Sequence, residues 1–388
     1  MVPPLPGAMD RFFLLSGGLE GDILHPIWFK MPQEVEAELG PGSYPVYTAG
    51  NFRYHWFLGF RPGGGTSSKL AQLWFYLRKG LQLHREKPFD CIVAYSHMTP
   101  GVMAAVLKLL TRTKLVIEIA TTPWLLGITN RPKPNLTDRL KKLYSDFCLH
   151  VSAGVADRVH LLYPAQLSGY PLLNREGLAK KKASVFHEFI LASNIPAAKP
   201  CERDQESYIV QVGAPWYLKG VDRLVAAFKR LAPDFPNVKL KLVGWYDGSE
   251  KAGLEALRDG SPQIELVRAL PNPNTLSIIS RSLILVHPSR CEGGPSRVVT
   301  EGLVAGVPVV GSDVAGIPYA ITDGENGFVV PGDDIDALER RLRELLSDPE
   351  LRQRVGSKAS VLAREQFSER VYVQQFTEMI RAAVLGDE

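Results

Sequence analysis

The sequence predicts an α/β protein made of two doubly wound, Rossmann-like units that face each other across a cleft. Three observations carry this reading. Short apolar runs alternate with helical patterns through the first half, which is the mark of βα units around a parallel sheet. A second series of the same kind starts at Tyr208, after an aperiodic stretch rich in Pro and charge. The length of 388 residues leaves room for two or three units, each able to bury its own core.

In the first half, RFFLL reads as a first strand. Its five residues run directly into SGGLEGD, too short an apolar run for a signal-peptide core. YPVYTA, FDCIVAYS, TKLVIEIA, FCLHVSA and ASVFHEF supply further strand candidates. Helical composition over Lys69–Arg85, Gly101–Leu110 and Asp138–Phe147 separates them, the last with Leu140, Leu143 and Phe147 at helical spacing. The first unit is placed at residues 1–193, and the stretch from Ala192 to Ser207 reads as a linker.

The second unit, residues 207–366, runs YIVQVG, a helix over Val221–Leu231, VKLKLVG, a helix near Leu254, IELV, and another helix near Ile278. It continues with SLILVHP, a helix carrying Glu301, PVVGS and GFVVP. Residues 367–388 follow: Ser368 caps a last helix with Val371, Phe376, Met379, Ile380 and Val384 on one face. That helix either crosses the cleft to join the two units or closes the second.

Composition excludes several classes. No window reaches the ~18 uncharged apolar residues of a spanning helix, so a cytoplasmic setting is expected. A formal charge of +4 is far from the concentrated basic stripe of a nucleic-acid binder and is compatible with anionic small molecules or a membrane surface. Cys91, Cys148, Cys201 and Cys291 have no short paired spacing, which argues against a structural zinc site and a disulfide framework. Asp333, Asp334 and Asp336 precede ALERRLRELL and read as helix-capping residues, not metal ligands. FRYHWFLGF and LWFYLRKG mix aromatics with Arg and Lys, which suits either a peripheral membrane contact or buried aromatics beside exposed charges.

The chemistry concentrates in His287–Val310. An apolar strand ends in a loop with Glu292, Gly293 and Gly294, and Pro295 and Ser296 then start a helix. The first N–H groups of that helix lack intrahelical partners and its dipole is positive there, so it can hold a phosphate. Glu301 can accept hydrogen bonds from two vicinal hydroxyls, as a ribose presents. The plain alternative is a solvated loop Glu292 and a helix-surface Glu301. In the first half, His97 follows a strand and reads as a general base toward an acceptor hydroxyl or as a loop histidine with a structural hydrogen bond. Glu118, inside an apolar strand, serves a site or a buried pair. Ser16, Gly17 and Gly18 form a turn after the first strand where backbone can approach a ligand closely.

Several motifs in order make the second half resemble the retaining glycosyltransferases of the GT-B fold, in particular family 4 of the sequence-based classification. They are VGAPWYLKGVDRLVAAFKRL from Val212, LVG at Leu242–Gly244, HPS at His287–Ser289, AGVPVVGSDVAGIP from Ala305 and DGENGFVVPGDD from Asp323. The resemblance implies transfer of a sugar from a nucleotide-diphosphate donor to a carbohydrate or lipid-linked acceptor, with no metal or other cofactor required. It places Lys219 and Gly213 at the donor diphosphate, Glu301 at the ribose and Glu292 near the sugar. Gly293, Gly294, Ser296 and Arg297 fall at the phosphate end, and Gly17 and Gly18 in the Gly-rich loop after the first strand.

Four departures accompany it. Eight residues separate Glu292 and Glu301 where the family has seven, and Ala214 stands at an arginine that contacts the diphosphate, a role left to Arg290 or Arg297. Tyr319 follows GIP in place of a glutamate, and Ala120 falls where many members carry a histidine. A sugar-nucleotide epimerase or phosphorylase of similar form, or a nucleotide-sugar-binding protein without catalysis, fits the same pattern.

Overall fold

The computed structural model of the protein describes residues 8–26, 46–57, 66–119, 135–169, 182–198, 206–246 and 248–386. The first half comprises α1 (Ala8–Leu15), β1 (Gly21–Pro26), β2 (Val46–Ala49), β3 (Phe52–Phe57), α2 (Thr66–Glu86), β4 (Cys91–Ala94), α3 (Thr99–Thr111), β5 (Lys114–Ile119), α4 (Leu136–Val155), β6 (Arg158–Leu161) and β7 (Ala183–Val185).

Its strands form two sheets, ordered β1-β3-β2 and β4-β5-β6-β7. The second is parallel throughout. In the first, β2 runs antiparallel to β3, because only Gly50 and Asn51 connect them and a parallel pairing needs a crossover of about a dozen residues. Gly50 takes φ +57° there, and an added Cβ would collide with the Ser16 side chain.

RFFLL is helical, not a strand. Phe12 and Leu15, three apart, are buried while Phe13 points to solvent, and the Phe12 ring meets Phe52 at 5.1 Å and Tyr54 at 5.7 Å. The first strand is GDILHP instead, paired parallel to β3. Gly17 and Gly18 consequently lie in the exposed turn that ends α1, not behind a strand. FCLHVSA is likewise no strand: it is the last part of α4, which buries Ser145, Cys148, Leu149, Ser152 and Ala153 at helical spacing. Periodicity does not separate a continuous apolar run in a buried helix from one in a strand.

In FRYHWF, the aromatic segment behaves as an amphipathic strand: Phe52 and Tyr54 are buried, and Arg53 pairs outward with both oxygens of Asp22 at 2.8 Å. On α2, Tyr76 is buried and Trp74 is exposed. Residues 58–60 and Ala120 lie outside the described residues.

The second half adds β8 (Ser207–Val212), α5 (Val221–Leu231), β9 (Val238–Gly244), α6 (Gly248–Arg258), β10 (Ile264–Arg268), α7 (Asn272–Ser280), β11 (Ile284–His287), α8 (Arg297–Ala305), β12 (Val309–Ser312), α9 (Ile317–Ala320), β13 (Phe328–Val330), α10 (Ile335–Ser347), α11 (Pro349–Gln366) and α12 (Glu369–Leu385). One parallel sheet, ordered β10-β9-β8-β11-β12-β13, is buried on both faces. The helices α5 and α10 contribute Leu224, Phe228, Leu338 and Leu342 to one face, and α8 and α11 contribute Val299, Leu303, Ala359 and Ala363 to the other. Leu- and Val-rich strands without alternation follow from that double burial.

The last helix crosses to the first half. Ser368 caps it by accepting from the Val371 amide, and Tyr372, Phe376, Met379 and Ala383 pack with Phe12, Tyr54, Phe186 and Phe189. A buried charge cluster fastens this junction. Arg11 donates to Glu118 at 3.4 Å and to Glu188, and its guanidinium lies 4.6 Å from the Tyr95 ring centroid and 5.6 Å from that of Tyr372. His160 meets the same Glu118 oxygen at 3.2 Å. Burial opposes ionisation of Glu118, yet Arg11 and His160 hold its pKa below the usual value. Glu118 is therefore a buried structural partner, one of the two roles the sequence allows it.

Gly220 sets the start of α5 at φ +65°, and an added Cβ would stand 1.9 Å from the Pro288 carbonyl oxygen. Backbone cannot yield there without moving β11. Gly220→Ala is expected to cost about 2–4 kcal/mol in urea unfolding, combining left-handed strain with the clash. A loss below about 0.5 kcal/mol would refute this close approach.

Candidate functional site

The carboxyl ends of the strands in the two halves face each other. After β6, Leu162 meets the backbone of Gly294, whose added Cβ would lie 2.8 Å from a Leu162 methyl carbon, and Tyr163 stacks at a tilt on Tyr319 with ring centroids 5.6 Å apart. Tyr319, the departure after GIP, thus packs across the cleft onto the first half. Beside this contact lies a cavity of 1820 Å³, walled by Ser96, Thr99 and Glu118 on one side and Pro295, Arg297 and Thr300 on the other. Lys219, Glu292 and Glu301 are not in its walls. Most of its walls belong to the first half, and it adjoins the first turn of α8.

The charged centre of the second half is built at the carboxyl ends of β8 and β11. Gly213 ends β8 at φ +122°, and a Cβ there would contact the Lys219 stem at 3.4 Å, so the lysine is laid over the strand end. Its Nζ donates to Glu292 Oε1 at 2.5 Å. The same oxygen meets His287 Nε2 at 2.8 Å and accepts from the Ser289 hydroxyl at 2.7 Å. Glu292 is thus a buried node joining Lys219 to the strand end.

Burial alone would raise the Glu292 pKa, but the charges and hydrogen bonds of His287 and Lys219 lower it to about 2. Because this lies below the ordinary 4.5, the ionised carboxylate stabilises the fold above pH 4.5, and that contribution is lost as pH falls through about 2. The difference amounts to about 3 kcal/mol at neutral pH. Glu292→Gln should lose most of it in denaturant unfolding at pH 7 and less than about half as much at pH 3. A difference independent of pH would contradict the depressed pKa.

Glu301 projects from α8 and is 6% exposed. Arg297 donates from Nε to Glu301 Oε1 at 3.2 Å, one helical turn away. Burial raises the Glu301 pKa above its usual value, against the opposing effects of Arg297 and a hydrogen bond with Asn272. Ser296 is the N-cap of α8 and makes no side-chain capping hydrogen bond, leaving first-turn N–H groups of a nine-residue helix without a capping acceptor. Gly293 and Gly294 precede that turn, and Gly294 is buried against Leu162 and Gly316.

Three expected residues stand elsewhere. His97 is 1% exposed, its Nε2 lies 2.9 Å from the Ser145 hydroxyl of α4, and burial lowers its pKa to about 4. Burial and the contact with α4 favour the structural histidine of the two roles the sequence allows. Gly17 and Gly18 are exposed in the turn after α1. Arg290, one candidate to replace the cation missing at Ala214, is held by both oxygens of Asp222 at 2.6 and 2.7 Å and lies 4.1 Å from the Tyr217 ring centroid. Arg297, the other candidate, is more than half exposed and donates to Glu301.

Asp334 caps α10, as expected, accepting from the Ala337 amide at 2.8 Å, while Asp333 and Asp336 pair with Arg223 and Arg230. Among the described residues no cluster of His, Cys, Asp or Glu is arranged to hold a metal ion. The sequence reading assigned no role to Asn272 or to the His287–Ser289 pair. An Asn-Pro opening α7 and a histidine ending β11 are the signals that mark them.

Residues 197–361 match the family model described as glycosyl transferases group 1. Over 308 residues the chain is 23% identical to the capsular polysaccharide biosynthesis glycosyltransferase CapM of Staphylococcus aureus, covering 78% of this chain and 79% of that protein. Three further curated relatives are matched over less than half their length. Among solved structures, sucrose-phosphate synthase from Thermosynechococcus elongatus superposes with a TM-score of 0.73 at 16% identity, covering 98% of this chain and 92% of that one. Anabaena Alr3699/HepE in complex with UDP-glucose gives 0.67 at 17% identity, covering 98% of both chains. The fold shared with them is the GT-B arrangement of two Rossmann-like units.

Proposed function

We propose that the protein, whose residues 197–361 match the glycosyl transferases group 1 model, moves a sugar from a nucleotide-diphosphate donor to an acceptor hydroxyl with retention of configuration. The observation that carries this reading is the Lys219 ammonium, held over Gly213 by Glu292 on the same strand ends that lead into the uncapped first turn of α8. A diphosphate between them meets the Lys219 ammonium, partly balanced by Glu292, and the positive end of a helix.

In the reaction, the bond from the anomeric carbon to the diphosphate oxygen breaks as the acceptor oxygen bonds to that carbon on the same face. The hydroxyl proton passes to the departing diphosphate. Charge grows on that leaving group, and Lys219 with the α8 amides stabilises it in place. Glu301 accepts the ribose hydroxyls, Arg297 adds charge at the phosphate end, and Glu292 keeps Lys219 aimed while bordering the sugar. Closure of the two halves at Leu162–Gly294 and Tyr163–Tyr319 limits donor hydrolysis.

The acceptor enters from the first half and is a carbohydrate or a lipid-linked hydroxyl. Polysaccharide or glycoconjugate biosynthesis in the cytoplasm, at the inner face of the membrane, is the setting we assign, in keeping with the CapM relative. Because Lys219 supplies the charge, turnover should persist in a chelator.

A panel of nucleotide sugars, followed by thermal shift and then by release of nucleotide diphosphate with and without acceptor, tests the reading. Stabilisation without turnover across all acceptors would favour a binding protein. Product formed without an acceptor would favour an epimerase, and dependence on inorganic phosphate a phosphorylase.

A further inference from the structure

The helix α4 is amphipathic in the wrong sense for a protein surface. It buries small and polar residues, Ser145, Cys148, Ser152 and Ala153 among them, against the first-half sheet. To the outside it presents Leu136, Leu140, Leu143, Tyr144 and Phe147, each between 49% and 72% exposed. At helical spacing these five fall within an arc of about 100°, one continuous stripe along three turns. Single exposed apolar residues are ordinary, but a contiguous stripe of large ones marks a contact surface.

The edges of the stripe show what the surface meets. Arg139 borders it on one side and Lys141 on the other, both exposed. Among the described residues neither has a carboxylate partner, whereas Lys142, turned further from the stripe, is paired with Asp146 at 2.6 Å. An apolar face flanked by unneutralised cations is the pattern of a helix lying in the boundary of an anionic bilayer. No described helix is long and apolar enough to cross a membrane.

We propose that the outer face of α4 seats the protein on an anionic lipid surface, with Leu136, Leu140 and Leu143 entering the headgroup boundary and Arg139 and Lys141 contacting lipid phosphates. Tyr144 and Phe147 sit both on this stripe and in the wall of the 1820 Å³ cavity. On the proposed function this cavity holds the acceptor, so the docked face leads directly into it, and an acceptor hydroxyl borne by a lipid reaches α8 without leaving the surface.

The experiment is flotation of the full chain with vesicles of phosphatidylcholine and phosphatidylglycerol in equal parts, and with phosphatidylcholine alone. It needs neither donor nor acceptor, so its failure is distinct from a failure of sugar transfer. The chain should float with the anionic vesicles only and be released at about 0.5 M salt. Leu140→Ser with Leu143→Ser, and separately Arg139→Gln with Lys141→Gln, should each weaken vesicle binding by about tenfold or more, with thermal unfolding unchanged. Equal binding by these variants, or no binding by the parent chain, overturns the proposal. A concentration-dependent dimer abolished by the leucine substitutions, with no vesicle binding, overturns it in favour of contact between two copies of the chain.

Discussion

Lys219→Ala should lower kcat for donor turnover by about 10²–10³ while the fold survives. On the proposed reading, the lysine ammonium stabilises the diphosphate most as that group departs. Its removal does not orphan Glu292, which retains His287 at 2.8 Å and Ser289 at 2.7 Å. Lys219→Arg should recover little, because a planar guanidinium does not reproduce a compact ammonium folded over Gly213, where the stem packs within 3.4 Å of a virtual Cβ. Steady-state kinetics alongside thermal unfolding separate the two effects. A kcat within about threefold of the parent would remove Lys219 from the reaction.

Glu301→Gln should separate binding from stability in the opposite direction. Burial raises the pKa of this carboxyl, so its ionised form disfavours the fold as pH rises through the ordinary carboxylate range and beyond. A neutral amide of the same shape should leave the unfolding free energy at pH 7 unchanged or higher. Donor binding should suffer, since a charged acceptor for two ribose hydroxyls is lost: KM for the nucleotide sugar should rise about 10–100-fold, from the 1.5–3 kcal/mol of a hydrogen bond to a charged group. Parent-like KM, or a marked loss of stability, would place Glu301 among structural residues. Tight ground-state sites of this kind are commonly stability liabilities.

The second half was legible almost element by element, and the reason is its sheet. Parallel strands buried on both faces read as continuous apolar runs such as SLILVHP, and Gly and Pro punctuate them at each turn. The expected helix over Val221–Leu231 is found over those same residues, and the Glu301 helix begins just after Pro295 and Ser296. The first half was less legible because its apolar runs are short. RFFLL and FCLHVSA are too brief or too uniformly apolar for period to distinguish helix from strand, and packing decided both: Phe12 against Phe52 and Tyr54, and α4 against the β4–β7 sheet. The YPVYTA run did become a strand, but its direction was set by the two-residue turn behind it.

The sequence by itself determined the two-unit α/β plan, because local period and turn chemistry carry it. It marked the helix start after Pro295, with Glu292 and Glu301, as a candidate anion site, while Lys219 came from the family resemblance. Only the tertiary structure decided how those groups combine. It joined Lys219 to Glu292 across 73 positions of chain, closed Arg290 onto Asp222, turned His97 toward Ser145, and brought the last helix back over the first half. Distances between residues far apart in sequence arise from how sheets and helices pack, and a buried charge finds its partner only in that packing. The apolar stripe of α4 makes the same point from outside: Leu140, Leu143 and Phe147 predict a helix from their spacing alone, but only the folded protein shows that this face was left to meet something else.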